Sequence, residues 1–272
     1  MSLRVGLAVT MSACSFSPPA FIPDAAIDTP GETIYEELPQ GRVTLNLIGL
    51  WTFDDPDGST AVADTAPSGD PVALTVFDDA IHTPPTFAGG RATVASRGLL
   101  FSADGTHLAQ DCKDANAVTL EAWVAPRAAF QGTLLQPTFI AGLADSVTQR
   151  DVVLLQSAGL WSARVRTSAT EPDGDPALYS TSIAVAAGWT HLAVVADNDE
   201  RIFYVNGERE AMSAPGPGTI GATWNAAFAM HIFEEPQRTR GWTGSISLVA
   251  LYNRALTTEE IQQNTQAGPD AP

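Results

Sequence analysis

The clearest patterning of apolar and polar positions lies between Trp189 and Met212, WTHLAVVADNDERIFYVNGEREAM. Trp189 to Ala196 is an apolar run with His191 inside it. Asp197 to Glu200 is a polar break, and Arg201 to Val205 is rich in aromatic and β-branched residues. Asn206-Gly207 interrupts the pattern again before Glu208 to Met212. Asn-Gly suits a type I′ turn, because both central residues need positive φ and the turn's twist matches that of the strands. Two hairpin signals this close together predict an antiparallel sheet.

Short segments of the same kind recur along the chain. Leu45 to Phe53, Val72 to Phe77, Gly98 to Ser102, Thr106 to Ala109 and Ala117 to Val124 read as strands. So do Leu135 to Leu143, Asp151 to Gln156, Leu160 to Thr167, Ser180 to Val185, Ala226 to Phe233 and Gly241 to Asn253. In Ala117 to Val124 the period of two puts Leu120, Ala122 and Val124 on one face and Thr119, Glu121 and Trp123 on the other. Gly, Pro and Asp turns separate the segments and no helices alternate with them. The expected class is all-β, an antiparallel two-sheet sandwich or jelly roll. One short C-terminal helix is predicted at Thr258 to Thr265. Thr257 and Glu260 form a capping box there, and Leu256 and Ile261 a hydrophobic staple.

The first 41 residues read differently. Met1 to Ala13 has one positive charge, Arg4, a short apolar core and small residues before Cys14. That is the pattern of an export signal. It also resembles a bacterial lipoprotein signal, which implies a lipid on Cys14 and membrane attachment through it. A leader that does nothing is the plain alternative. Residues 15–41 carry repeated prolines and several acids, the composition of an extended tether. The folded domain is expected over 42–268, with a tail at 269–272.

Composition narrows the partners. The chain has 272 residues, 44% apolar and 17% charged, with 14 Lys and Arg against 31 Asp and Glu, a net charge of −17. Such a surface repels phosphate backbones, so nucleic acid is excluded as an expected partner. Acidity suits solubility, cation binding or neutral ligands such as sugars. Two cysteines, Cys14 and Cys112, are too few for a disulfide framework.

Six pieces in order carry a family likeness: LIGLWTFDD, a DTAPSG loop, AVTLEAWV, GWTHLAVV, IFYVNG and GSISLVALYNRALTTEEI. Together they resemble the laminin G-like, or concanavalin A-like, jelly roll over about Leu45 to Gln266. The resemblance implies two curved antiparallel sheets packed face to face, with the first and last strands adjacent. It also implies an exported, non-catalytic binding or adhesion module for a glycan or an extracellular protein. Some members hold one calcium near the first loop and the closing strand. Here Ser247 and Leu248 stand where that strand would carry carboxylates, leaving Asp54, Asp64 and Asp70 as candidate ligands.

Other chemistry finds less support. A glycoside hydrolase or lyase on this scaffold needs two opposed carboxylates. Glu121 is the one acid in a clear inner strand, while Glu208 and Glu210 read as a solvated edge. His82, His107, His191 and His231 have no metal-type spacing, and His191 reads as a core histidine satisfied by backbone. No Gly-x-Ser-x-Gly elbow is present. Cys112 reads as a structural or idle thiol. The acid-rich loops at Asp54 to Asp57, Asp173 to Asp175 and Asp197 to Glu200 read as ordinary turns. Of six tryptophans, Trp51, Trp123 and Trp189 fall in strand patterns and are expected in the core. Trp161, Trp224 and Trp242 lie near turns and are the candidates for stacking a sugar, with core burial as the alternative.

Overall fold

A computed structural model describes residues 41–212, 218–237 and 239–269. Met1 to Gln40, including the export-type segment and Cys14, lie outside the described residues. In chain order the first strands are β1 (Leu47–Trp51), β2 (Ala61–Val62), β3 (Leu74–Val76), β4 (Thr86–Phe87), β5 (Ala92–Val94) and β6 (Leu100–Phe101). Helix α1 (His107–Ala115) follows, then β7 (Val118–Pro126), β8 (Thr138–Ser146), β9 (Gln149–Ser157), β10 (Leu160–Val165) and β11 (Leu178–Ile183). The chain continues with β12 (Thr190–Ala196), β13 (Arg201–Val205), β14 (Glu208–Met212), β15 (Ala229–Ile232), β16 (Gly244–Tyr252) and helix α2 (Thr258–Ala267).

These strands build two antiparallel sheets. One runs β14-β13-β12-β7-β16-β5-β4, with β1 also paired to β16. The other runs β11-β10-β9-β8-β15-β6-β3-β2. The alternation in β7 works as read: Leu120, Ala122 and Val124 enter the core between the sheets, while Glu121 and Trp123 face outward. First and last strands pair, Leu50 opposite Ala250 and Trp51 opposite Val249. Asn206 and Gly207 take φ of 52° and 80°, as the type I′ turn requires. The architecture is the jelly-roll sandwich expected, and α2 carries its capping box between Thr257 and Glu260. Leu256 and Ile261 of the staple are both buried.

One expected strand is a helix. Thr106 to Ala109 opens α1, in which Leu108, Ala109 and Cys112 are the buried residues. Their spacing repeats on one side of a helical turn, and the outvoting signal is Asn116, which caps the helix at φ 53° in the left-handed region. Three short strands, β2, β4 and β5, have too few residues to show any period.

Asp151 is fully buried in β9, where its carboxylate accepts the Asn225 N–H at 3.1 Å and lies 3.8 Å from Arg166 Nη1. Burial pushes its pKa up to about 8, against the Asn225 hydrogen bond and the Arg166 charge, from 3.8 in a free chain. The folded protein therefore keeps a proton that the unfolded chain has released, and stability falls as pH rises between those two values. Calorimetry should show a melting temperature that drops from about pH 5 to about pH 8. Asp151→Asn, which cannot titrate, should flatten that decline.

Candidate functional site

The outer face of the first sheet carries a buried polar cluster and an open groove. At one end, α2 lies across β7, β12 and β16. Beneath it Arg42 Nη1 pairs with Glu121 Oε1, both side chains being shut off from solvent. Glu121 Oε2 meets His191 Nε2 at 3.0 Å, and His191 Nδ1 meets Thr265 Oγ1 at 2.8 Å. The Asn264 amide donates to both Glu121 oxygens at 3.1 and 3.2 Å, and its Oδ1 accepts the Val43 N–H at 2.8 Å. The Tyr252 hydroxyl donates to the Val43 carbonyl at 2.9 Å.

Burial alone would raise the Glu121 pKa. The Arg42 charge, helped by His191 and Asn264, overrides it and holds the group at about 2. A carboxylate beside an imidazole would suit acid–base chemistry in an open cleft. Here both are 0% exposed, so the pair is a latch. His191 is thus a core histidine as expected, but side chains rather than backbone satisfy its ring.

The three tryptophans singled out for a ligand are corrected by the structure. Trp161, Trp224 and Trp242 are 1%, 2% and 0% exposed and offer no ring face. Nearness to a turn misled because the indole N–H itself finds acceptors there. Trp224 Nε1 donates to the Arg166 carbonyl at 2.8 Å and Trp242 Nε1 to Gln156 Oε1 at 2.7 Å. Trp189, expected in the core, is the exposed one at 39%. It sits one residue before β12 begins, where the chain has not yet entered the sheet.

The candidate calcium ligands do not converge either. Asp64 spends its carboxylate on three backbone N–H groups, those of Leu50, Ala66 and Val72 at 2.8 to 2.9 Å. It is a loop organiser. Asp54 and Asp70 are exposed, and the Asp70 carbonyl accepts from His107 Nε2. Among the described residues no cluster of three or more His, Cys, Asp or Glu could hold a metal. Of the acidic pair on β14, Glu208 is solvated as expected. Glu210 is half-buried and clasps β11, taking the Thr181 N–H at 2.8 Å and the hydroxyls of Thr181 and Ser182. Burial opposes ionisation of Glu210, and those hydrogen bonds reverse it, so its pKa is lowered.

At the other end of the same outer face lies a groove of about 220 Å³. It forms where β5, β16 and β7 end. Ile246 and Val124 point into the core, so their neighbours Ser245 and Ala125 point outward. Thr93 Oγ1 and Ser245 Oγ meet at 2.8 Å on its floor. Trp189 and Ala187 form one side, held by the Ala187 N–H donating to the Pro126 carbonyl at 2.7 Å. Arg91 and Arg127 complete the lining, and both are exposed. Sequence reading passed over these two arginines, since no motif marks them.

A second groove, of about 370 Å³, is lined by Asp104, Asp145, Asn225, Phe228 and His231 among others. Both carboxylates are exposed.

A profile of the concanavalin A-like lectin/glucanases superfamily, laminin G type, matches residues 102–262. The chain belongs to that family. No curated protein sequence matches it. Among solved structures, the binding domain of botulinum neurotoxin DC in complex with rat synaptotagmin II is similar with a TM-score of 0.56 and 7% identity. The alignment covers 83% of this chain and 52% of that one. The ligand-binding domain of botulinum neurotoxin serotype D, in complex with N-acetylneuraminic acid, gives 0.55 at 10% identity, covering 83% and 52%. Trypanosoma rangeli sialidase, in complex with 2,3-difluoro-KDN, gives 0.59 at 18% identity, covering 84% and 34%. The chain therefore spans about half of the toxin chains and a third of the sialidase chain. At these identities the likeness is one of fold.

The latch is a structural device, and its removal should show as such. Glu121→Gln leaves the Arg42 charge buried without a counter-charge, which typically costs about 3 kcal/mol. Chemical denaturation should report that loss. The carboxylate's contribution, present above the free value of 4.5 and lost as pH falls towards about 2, should vanish with it.

Proposed function

We propose that this laminin G-type domain is a non-catalytic binding module outside the cytoplasm that recognises a glycan through the Trp189 groove. The observation that carries the reading is the exposed Trp189 ring beside paired hydroxyls and two arginines. An indole face is electron-rich and accepts the polarised C–H groups of a sugar ring. The Thr93 and Ser245 hydroxyls can exchange hydrogen bonds with sugar hydroxyls. The volume is below the roughly 300–1,000 Å³ that encloses drug-sized ligands. It suits a terminal sugar rather than a long chain.

Neighbours of the same fold were solved with N-acetylneuraminic acid and with a sialidase ligand, which is in keeping with sugar recognition on this scaffold. Hydrolysis is not part of the proposal. No carboxylate lines the Trp189 groove, and a glycosidase needs two. The same lining argues against a calcium bridge at this groove, since calcium takes about 6–8 oxygen ligands, several of them charged.

A protein partner is the second reading, and one observation favours it. Phe130, Leu134 and Leu135 are 75%, 54% and 89% exposed on the segment after β7. Ile183 and Val185, on the segment leading to Trp189, are also exposed.

A glycan array probed with the full chain should return binding that is unchanged by a calcium chelator. Trp189→Ala should weaken it by at least about tenfold, the loss expected of a binding hot spot. The same variant should stay folded with a melting temperature close to wild type, since Trp189 belongs to none of the buried apolar clusters. An array without hits, or a Trp189→Ala protein that binds as well as wild type, would remove the glycan reading. Attachment through a lipid on Cys14 completes the proposal for localisation, resting on the leader's composition. Cys14→Ala should move the protein from the membrane fraction to the soluble one, and retention in the membrane fraction would count against the anchor.

A further inference from the structure

The arginines of the Trp189 groove carry more information than the groove's shape. In a chain with 31 acidic residues against 14 basic ones, a guanidinium has an abundance of carboxylates to pair with. Eight of the eleven described arginines do. Arg42, Arg97, Arg150 and Arg164 each meet a carboxylate at 3.1 Å or closer. Arg166, Arg209, Arg240 and Arg254 also lie within 4.0 Å of one. Arg201 donates to the carbonyls of Val165, Gly174 and Pro176.

Arg91 and Arg127 are different. Neither has an ion-pair partner among the described residues, and both line the one groove. Arg91 Nε donates to the Ala88 carbonyl at 3.1 Å, which fixes the arm of the side chain and leaves its Nη groups without a counter-ion. The groove's lining contains no Asp or Glu. Two unneutralised guanidinium groups therefore border an aromatic ring and a hydroxyl pair on an otherwise strongly acidic molecule.

We infer that the ligand of this groove is a sugar bearing a carboxylate, of the uronic or sialic acid kind. The inference rests on the glycan reading above and narrows it. A guanidinium presents a planar fork of donors that matches the two oxygens of a carboxylate, and such charge-assisted pairs are about twice as strong as neutral hydrogen bonds. The sugar ring stacks on Trp189, its hydroxyls meet Thr93 and Ser245, and its carboxylate is held by Arg91 and Arg127. The protein's own charge of −17 opposes the approach of any anion from bulk solvent. Selectivity for a carboxylate must then come from the local pair of cations rather than from the overall field.

Matched ligands test this directly. Oligosaccharides of galacturonate, glucuronate and N-acetylneuraminate would be titrated into the full chain beside their methyl esters, which keep the ring and remove the charge. A sulfated oligosaccharide forms a third arm. At least one acid should bind about tenfold more tightly than its ester, the worth of one charge-assisted hydrogen bond. The double variant Arg91→Gln with Arg127→Gln should bring acid and ester to within about twofold of each other. Trp189→Ala should lose both.

Equal binding of acids and esters would overturn the carboxylate inference while leaving the glycan reading intact. Retained preference in the double variant, or binding of the sulfated sugar with none of the acids, would also overturn it. Binding that ignores Trp189→Ala, or no binding in any arm, would take down the glycan reading as well.

Discussion

The contact between Arg42 and Glu121 is the constraint on which the helix-bearing face depends. Two charges removed from water cost more than their attraction returns unless every remaining donor and acceptor is met. Here Asn264, His191 and Tyr252 meet them. The residues involved come from the start of the described chain, the middle of β7, the start of β12, the end of β16 and the interior of α2. None of these pieces can be displaced without exposing a charge to an apolar interior. Around the cluster pack Leu47, Leu248, Tyr252 and Ile261, a second core distinct from the one between the sheets. The pairing of β1 with β16 holds the chain that follows Arg42 beside the closing strand, which neighbours the strand that carries Glu121.

The latch and the groove share a strand. β7 lies between β12 and β16 at the middle of its sheet. One end of it is clamped under α2, and the other, Ala125 and Pro126, floors the Trp189 groove. The helix covers the outward face only part-way, so a sheet surface that would otherwise be fully covered stays open at one end. Jelly rolls support binding and catalysis alike, and the fold alone decides neither. What distinguishes this chain is the set of side chains at that open end.

Much of the architecture was legible in the residues. The hairpins at Asp197 to Glu200 and Asn206-Gly207, the alternation of β7 and the capping box at Thr257 each have a local physical cause, and each formed as expected. The differences at the tryptophans and the buried acids share a cause too: they concern positions whose surroundings are set by the folded chain rather than by their sequence neighbours. Trp242 is buried against Phe233 and Gln156, while Trp189 stays 39% exposed at the rim of a groove that Arg91, Thr93 and Ser245 help to line. Glu234 and Glu235, just after β15, carry no local signal of burial, yet both are fully buried. His82 and Arg97 meet the first, Arg150 and Arg240 the second. Arg91 and Arg127 lie in unremarkable loops, and only the folded chain brings them to one place. The α1 segment failed for a nearer reason, a nine-residue amphipathic stretch taken for part of a strand.

The clasp of Glu210 on β11 has a consequence for how partners can attach. β14 and β11 each end their sheet on one side, and such a strand ordinarily offers free main-chain groups that an extended peptide can zip onto. The carboxylate takes the Thr181 N–H and ties the two strands together, so one main-chain donor of that flank is already engaged. An extended peptide approaching this flank meets a charged side chain before it meets the strand edge, a feature that works against indiscriminate strand pairing.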